Sequence, residues 1–308
     1  MIDINQYPTI GAAFFEAARR FGDHSFLAVP VNQSRSYAAQ GLELTYAEVA
    51  AQVRSLMQVY DQAGFGHGHR VALSLENRPD HVWHKLALNA LGVCCVPVNP
   101  DYRLQELAYL IDHSKVDLIM ALPHLCAGIN DALEHTTWCP PVMAIQDVGT
   151  GLRAPTRAAL TQTIDGETPA SILYTSGTTG SPKGCILSHR YELASGAWYA
   201  RLGGLAAIRL TQERLYNPLP LFHVNASILS FYCMMLTGNC QIQTDRFQPT
   251  RWWEEVRQSD ATIVHYLGII IPLLLAQPAD QNDQEHGVRF GFGAGVEPQL
   301  HAVFEARF

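Results

Sequence analysis

The chain predicts an α/β fold with two mainly parallel sheets, and three observations predict it. Short apolar runs bounded by Gly, Asn and Pro alternate with stretches of helical periodicity, the pattern of βαβ units. A polar, punctuated segment, Asp147 to Thr168, interrupts that alternation, which then resumes. The 308 residues also exceed the size at which one core usually stops growing. The expected division is therefore 1–165 for a first α/β subdomain and 166–308 for a second, with the polar segment as a candidate linker.

In the first part, "TIGAAFFEAARRF" from Thr9 carries apolar residues at helical spacing. "TYAEVAAQVRSLMQVYDQAG" opens on the capping pair Thr45 and Glu48, so helices come first. "RVALSLE", "GVCCVPVN", "VDLIMAL" and "PVMAIQ" read as strands, with the helical "PDHVWHKLALNAL" between the first two. In the second part "ASILYT", "RLYNPL", "CQIQT", "ATIVHYL" and "VRFGFGAG" read as strands. Helices are expected from about Arg190, around Ile228 to Leu236, and over "TRWWEEVRQS". "YLGIIIPLLLA" from Tyr266 is about half the roughly 20 apolar residues a bilayer span needs, is broken by Pro272, and reads as buried core.

Composition narrows the function. The formal charge of -7 is spread without a Lys/Arg block, which argues against nucleic acid as a partner. Seven cysteines without a CxxC pair indicate neither a disulfide framework nor a zinc site and fit a reducing, cytoplasmic setting. The start, "MIDINQYPTI", is acidic and polar where a signal peptide would be basic and then apolar.

The most informative stretch is "YTSGTTGSPKG", Tyr174 to Gly184. Its three glycines permit unusual backbone angles, and its five serines and threonines leave N–H groups open to an anion. A P-loop requires Gly-Lys-Ser/Thr at a helix start. Pro182 and Gly184 flank Lys183 instead, and the apolar Cys185, Ile186 and Leu187 that follow suggest a strand. A solvated turn and a hairpin-like phosphate loop both remain open on composition alone.

The order strand, hydroxyl-rich glycine loop, Pro-Lys-Gly, strand resembles the phosphate-loop signature of the adenylate-forming superfamily, which includes acyl-CoA synthetases, luciferase and peptide-synthetase adenylation domains. "ALGVCCVPVNPDYRLQELAYLIDHS", "LYNPLPLFHVNA" and "FGFGAGVEP" resemble further segments of the same superfamily, so that the likeness spans essentially the whole chain. It implies the large N-terminal domain of the adenylate-forming fold, built of stacked α/β layers. It also implies a reaction in which a small carboxylic acid and ATP give an acyl-adenylate and pyrophosphate before the acyl group passes to coenzyme A, with Mg2+ accompanying ATP.

By this resemblance Thr175, Ser176, Gly177, Thr178, Thr179 and Gly180 would hold the phosphates, with Lys183 adding a mobile positive charge. His223 would lie against the acyl carboxylate and α-phosphate, Val224 and Asn225 would line the acyl pocket, and Gly293, Ala294 and Gly295 would form the floor under adenine. Each has a bland alternative: a surface lysine, a satisfied histidine, packing residues, a tight turn. Ala226 stands where many members carry glycine, and His223 where amino-acid adenylation domains carry aspartate, which favours an acid without an ammonium group. "LLLAQPADQNDQEHGVR" resembles the crotonobetaine/carnitine-CoA ligase branch.

"GFGAG" at Gly291 fails as a dinucleotide fingerprint because Val296 occupies the third glycine position, and "GFGHG" at Gly64 reads as a helix C-cap and turn. His81 and His84 are expected on a solvated helix face, with no metal. The superfamily's later elements, including a magnesium-binding glutamate and a small C-terminal domain with a catalytic lysine, do not follow Phe308. The expectation is therefore a truncated chain inactive alone. A non-catalytic nucleotide-binding or interaction module is the alternative from another class, and an amino-acid adenylation domain the alternative within the superfamily.

Overall fold

The computed structural model describes residues 1–175 and 182–308. In chain order the elements are α1 (Ile10–Phe21), β1 (Ser25–Val29), β2 (Leu42–Thr45), α2 (Tyr46–Gln62), β3 (Arg70–Ser74), α3 (Pro79–Ala90), β4 (Cys94–Pro97), α4 (Leu104–Ser114), β5 (Leu118–Ala121), α5 (Cys126–Leu133), β6 (Val142–Ala144) and α6 (Val148–Gly151). They continue with β7 (Pro169–Thr175), β8 (Lys183–Ser188), α7 (His189–Ala200), β9 (Arg214–Asn217), α8 (Phe231–Thr237), β10 (Cys240–Gln243), α9 (Trp252–Gln258), β11 (Ile263–Leu267), α10 (Ile270–Leu275), β12 (Phe290–Ala294) and α11 (Pro298–Arg307). A π-helix, Asn225–Ser230, runs directly into α8.

The local signals act as physical chemistry requires. Thr45 and Glu48 form the expected capping box on α2, Thr9 accepts from Ala12 N–H at the start of α1, and Pro79 opens α3, where its missing N–H costs nothing. Gly64, with φ of 89°, turns the chain after α2 as expected.

Two six-stranded sheets result, ordered β6-β5-β3-β4-β7-β8 and β12-β11-β9-β10-β1-β2. Each is parallel apart from one antiparallel edge strand, β8 in the first and β2 in the second. Both sheets draw strands from either side of residue 165: β7 and β8 join the first, and β1 and β2 join the second. The helices α1, α2, α3, α7 and α8 pack on one another between the sheets, and one apolar core runs through them from Val71 and Leu73 of β3 to Tyr216 of β9 and Ile242 of β10. α4 and α5 cover the outer face of the first sheet. α7 and α8 cross closely at Gly196, where a Cβ would meet the Tyr232 backbone at 2.6 Å.

Four expectations are corrected. The N-terminal region is not helices alone, because β1 and β2 lie between α1 and α2; β1 pairs with β10, more than 200 residues on, which no local pattern announces. The 147–168 segment is not a loose linker. Arg157 binds both Asp117 oxygens at 3.0 and 2.8 Å, and Leu160 N–H donates to the His67 carbonyl, so the segment is strapped to the first sheet. His81 and His84 are each 3% exposed, because α3 is surrounded by α1, α2 and the first sheet rather than facing solvent. Only part of "YLGIIIPLLLA" is core: Ile270, Ile271 and Leu274 are buried, whereas Ile269 is 65% exposed. Among the described residues no helix is long and apolar enough to cross a membrane.

Candidate functional site

In open parallel sheets the crevice that accepts ligands lies outside the carboxyl ends of the strands, where the strand order reverses. The first sheet reverses between β3 and β4, and the second between β9 and β10. One cavity of about 290 Å3 is lined from both reversals: by Asn77 after β3, Asp101 after β4, Phe222 after β9, Asp245 after β10, and also Ile269 after β11. The two switch points therefore face each other across a single crevice. Neither this cavity nor a wider, open groove of about 660 Å3 between α5 and β6 is lined by the predicted site residues themselves, although Phe222 of the crevice directly precedes His223.

Thr175 ends β7 and Lys183 begins β8, and the two pair directly across an antiparallel ladder. The glycine-rich stretch is thus bracketed by a hairpin, which is incompatible with the strand-to-helix geometry of a P-loop. Ser176, Gly177, Thr178, Thr179 and Gly180 themselves lie outside the described residues. Pro182 is held from outside, since the Tyr109 hydroxyl donates to its carbonyl at 2.9 Å.

His223 follows Phe222 at the crevice, with the two rings 4.6 Å apart, and stays open to solvent on one side. Burial of the rest of its ring lowers the pKa below the ordinary imidazole value. A neutral ring at pH 7 offers one donor and one acceptor nitrogen. Val224 is exposed, and Asn225 begins the π-helix, an element that tends to mark functional sites. Asn225 and Ala226 give their carbonyls to the Ser230 hydroxyl.

Gly293 and Ala294 lie in β12, and Gly295 follows with φ of 75°. The glycines of "GFGAG" have a packing role that the sequence did not disclose. Tyr266 of β11 pairs with Gly293, and its ring lies across the neighbouring strand, so that a Cβ on Gly291 or Gly293 would approach it to 2.7 or 2.0 Å. The strand ends are closed too: Gly268 N–H donates to the Ala294 carbonyl at 2.7 Å, and a Cβ on Gly268 would meet the Gly295 carbonyl at 1.9 Å. Gly293→Ala is expected to cost about 1–3 kcal/mol by overpacking. Tyr266→Ala should relieve most of that increment, and equal costs in both backgrounds, read by urea unfolding, would refute the ring contact.

Thr175 and Ala294 thus end β7 and β12, and His223 follows β9, so that each stands at or beyond the carboxyl end of a strand. Sequence reasoning missed Asn77, Asn217 and Gln243, which hold the backbone before His223. For Gln243 the signal was a pair of glutamines, Gln241 and Gln243, in a strand that buries every residue.

The family model of the AMP-binding enzymes matches residues 14–308. The chain belongs to that family. Sulfoacetate–CoA ligase of Cupriavidus necator is 28% identical, covering 98% of this chain and 58% of the relative. The medium/long-chain-fatty-acid–CoA ligase FadD6 of Mycobacterium tuberculosis is 29% identical over 99% of this chain and 49% of its own. Crotonobetaine/carnitine–CoA ligase of Salmonella paratyphi B also matches, at 24% identity. The chain spans about half the length of the curated relatives it matches. The inhibitor-bound N-terminal domain of FACL13 from Mycobacterium tuberculosis superposes with a TM-score of 0.80 at 22% identity, covering 97% of this chain and 73% of that one. The stacked two-sheet architecture is therefore the fold of the N-terminal domain of adenylate-forming enzymes.

Proposed function

We propose that the protein is an ATP-dependent acid–thiol ligase: a carboxylate attacks the α-phosphate of ATP, pyrophosphate leaves, and the thiol of coenzyme A then attacks the acyl carbon of the acyl-adenylate, losing its proton and releasing AMP. The match of CoA ligases over 98% and 99% of the chain carries this reading. Thr175, Lys183 and the segment between them serve the β- and γ-phosphates, and Lys183, exposed at the start of β8, supplies a movable positive charge. Gly293, Ala294 and Gly295 offer backbone to the adenine. The neutral ring of His223 hydrogen-bonds the carboxylate or α-phosphate oxygen, while Val224 and Asn225 flank the acyl group. Mg2+ comes with the triphosphate, which supplies much of its oxygen shell. Among the described residues no group of three or more potential ligands gathers to hold the ion independently. The reading includes a cytoplasmic setting, where ATP and coenzyme A are available.

ATP–pyrophosphate exchange with a panel of carboxylic acids, on the protein as its gene encodes it, tests the proposal. Exchange with at least one acid and thioester formation with coenzyme A are expected, together with a loss of ATP affinity in Lys183→Ala of about tenfold. Calorimetric binding of ATP without exchange would mark a non-catalytic nucleotide-binding module instead. Preference for an amino acid would overturn the reading of His223.

A further inference from the structure

The backbone immediately before His223 is held by uncharged side chains, and each of them is buried. Asn77, 6% exposed, accepts from Leu221 N–H at 2.8 Å through Oδ1 and donates to the Leu219 carbonyl at 3.3 Å through Nδ2. Gln243, fully buried at the end of β10, donates from Nε2 to the carbonyls of Asn217, Leu219 and Thr244 at 3.1–3.2 Å, and its own Oε1 accepts from Gln241. Asn217 takes Leu219 N–H on its Oδ1 at 3.0 Å and contacts the Ser230 hydroxyl on the π-helix after His223 at 3.4 Å. The Asn217 carbonyl also accepts from Thr244 N–H just beyond β10, whereas the Leu219 carbonyl, between Pro218 and Pro220, is met by the side chains of Asn77 and Gln243.

We infer that Asn77 and Gln243 are positioning residues that fix the 217–221 backbone and thereby set where His223 stands against the reacting oxygens. The inference rests on the ligase reading above. The clamp reaches His223 from both sheets, since Asn77 leaves β3 of the first and Gln243 ends β10 of the second. It therefore couples the histidine to the relative placement of the two switch points. Amides suit the task because they donate and accept without changing charge, and so hold their geometry over the whole working pH range. A misplacement of the order of 1 Å at a reacting group can cost about 100-fold in rate, which is the scale at which such a clamp matters.

The test uses Asn77→Ala, Gln243→Leu and Asn77→Asp in the full chain. Hydrogen exchange of a peptide covering 217–223 should accelerate in the first two, while a peptide over β5 is unchanged. The kcat for adenylate formation should fall about 10- to 100-fold, with KM for ATP within about threefold of wild type. Asn77→Asp separates positioning from general damage. Its carboxylate can accept from Leu221 but cannot donate to Leu219 until protonated, so its activity relative to wild type should rise as pH is lowered from about 8 to 6. An active wild type with unchanged exchange, unchanged kcat or a pH-independent Asn77→Asp ratio would overturn the clamp alone. A wild type that forms no adenylate with any acid would overturn the ligase reading, and the clamp's role in it.

Discussion

Replacing Lys85 with alanine is expected to cost about 3–5 kcal/mol of stability, the scale for breaking a buried ion pair by removing one partner. Lys85 Nζ lies 2.8 Å from Glu192 Oε2, with side chains 4% and 0% exposed, and Glu192 also accepts from the Ser171 hydroxyl. The pair ties α3 to α7 and, through Ser171, to β7 four residues before Thr175. Alanine removes the cation and leaves a carboxylate with no water to solvate it. The double variant Lys85→Met/Glu192→Gln deletes both charges at similar volume and should recover most of the loss. Urea unfolding reads the contrast, and a double variant as unstable as the single one would show that packing rather than charge dominates there.

The second large effect is expected from acid. Burial lowers the pKa of His81 to about 3, and of His84, His189 and His265 to about 4 each, against an ordinary value of 6.5. The unfolded chain therefore binds more protons than the folded one between about pH 6.5 and pH 4. The stability that comes from keeping these rings neutral is complete above 6.5 and drains away as pH falls through that window. Each ring contributes a slope of up to about 1.4 kcal/mol per pH unit. His189 shows the structural meaning of neutrality, because its Nδ1 accepts from Ile10 N–H at the start of α1 and His84 Nδ1 likewise meets the Tyr60 hydroxyl at 2.7 Å. Urea midpoints at pH 7.5, 6 and 5 should decline, and His84→Gln should flatten the decline. A midpoint constant across that range would refute it. Carboxylates such as Glu16, held low by Arg19 and Arg20, act in the same direction only below about pH 4.5.

Much of this was legible in the sequence because the signals are local. Thr45 and Glu48 announce a helix start within four residues, and Pro182-Lys183-Gly184 followed by apolar residues announces a strand rather than a helix. The hydroxyl-rich loop and the His223 segment pointed to the family before any geometry was available. What stayed hidden depends on distant partners. β1 is a strand because β10 accepts it, and His81 is buried because three other elements enclose α3. Tyr266 gives Gly291 and Gly293 their reason, and no spacing rule reports a ring from the neighbouring strand. Asn77 and Gln243 looked like ordinary polar residues until the backbone they serve came into view, 144 and 24 residues away respectively.

The pairing of β1 with β10 also has a bearing on biosynthesis. The sheet ordered β6-β5-β3-β4-β7-β8 has all its strands once residue 188 has been made, whereas β1 and β2 must wait for residues 240–243 before β1 gains its parallel neighbour. For the interval in which that stretch is being synthesised, the hairpin of Phe26 and Leu27 presents an open strand edge and apolar side chains with nowhere native to go. Nascent chains arrested between residues 190 and 235 should accordingly be the most aggregation-prone and the most dependent on chaperones, and the liability should end abruptly once β10 has left the ribosome.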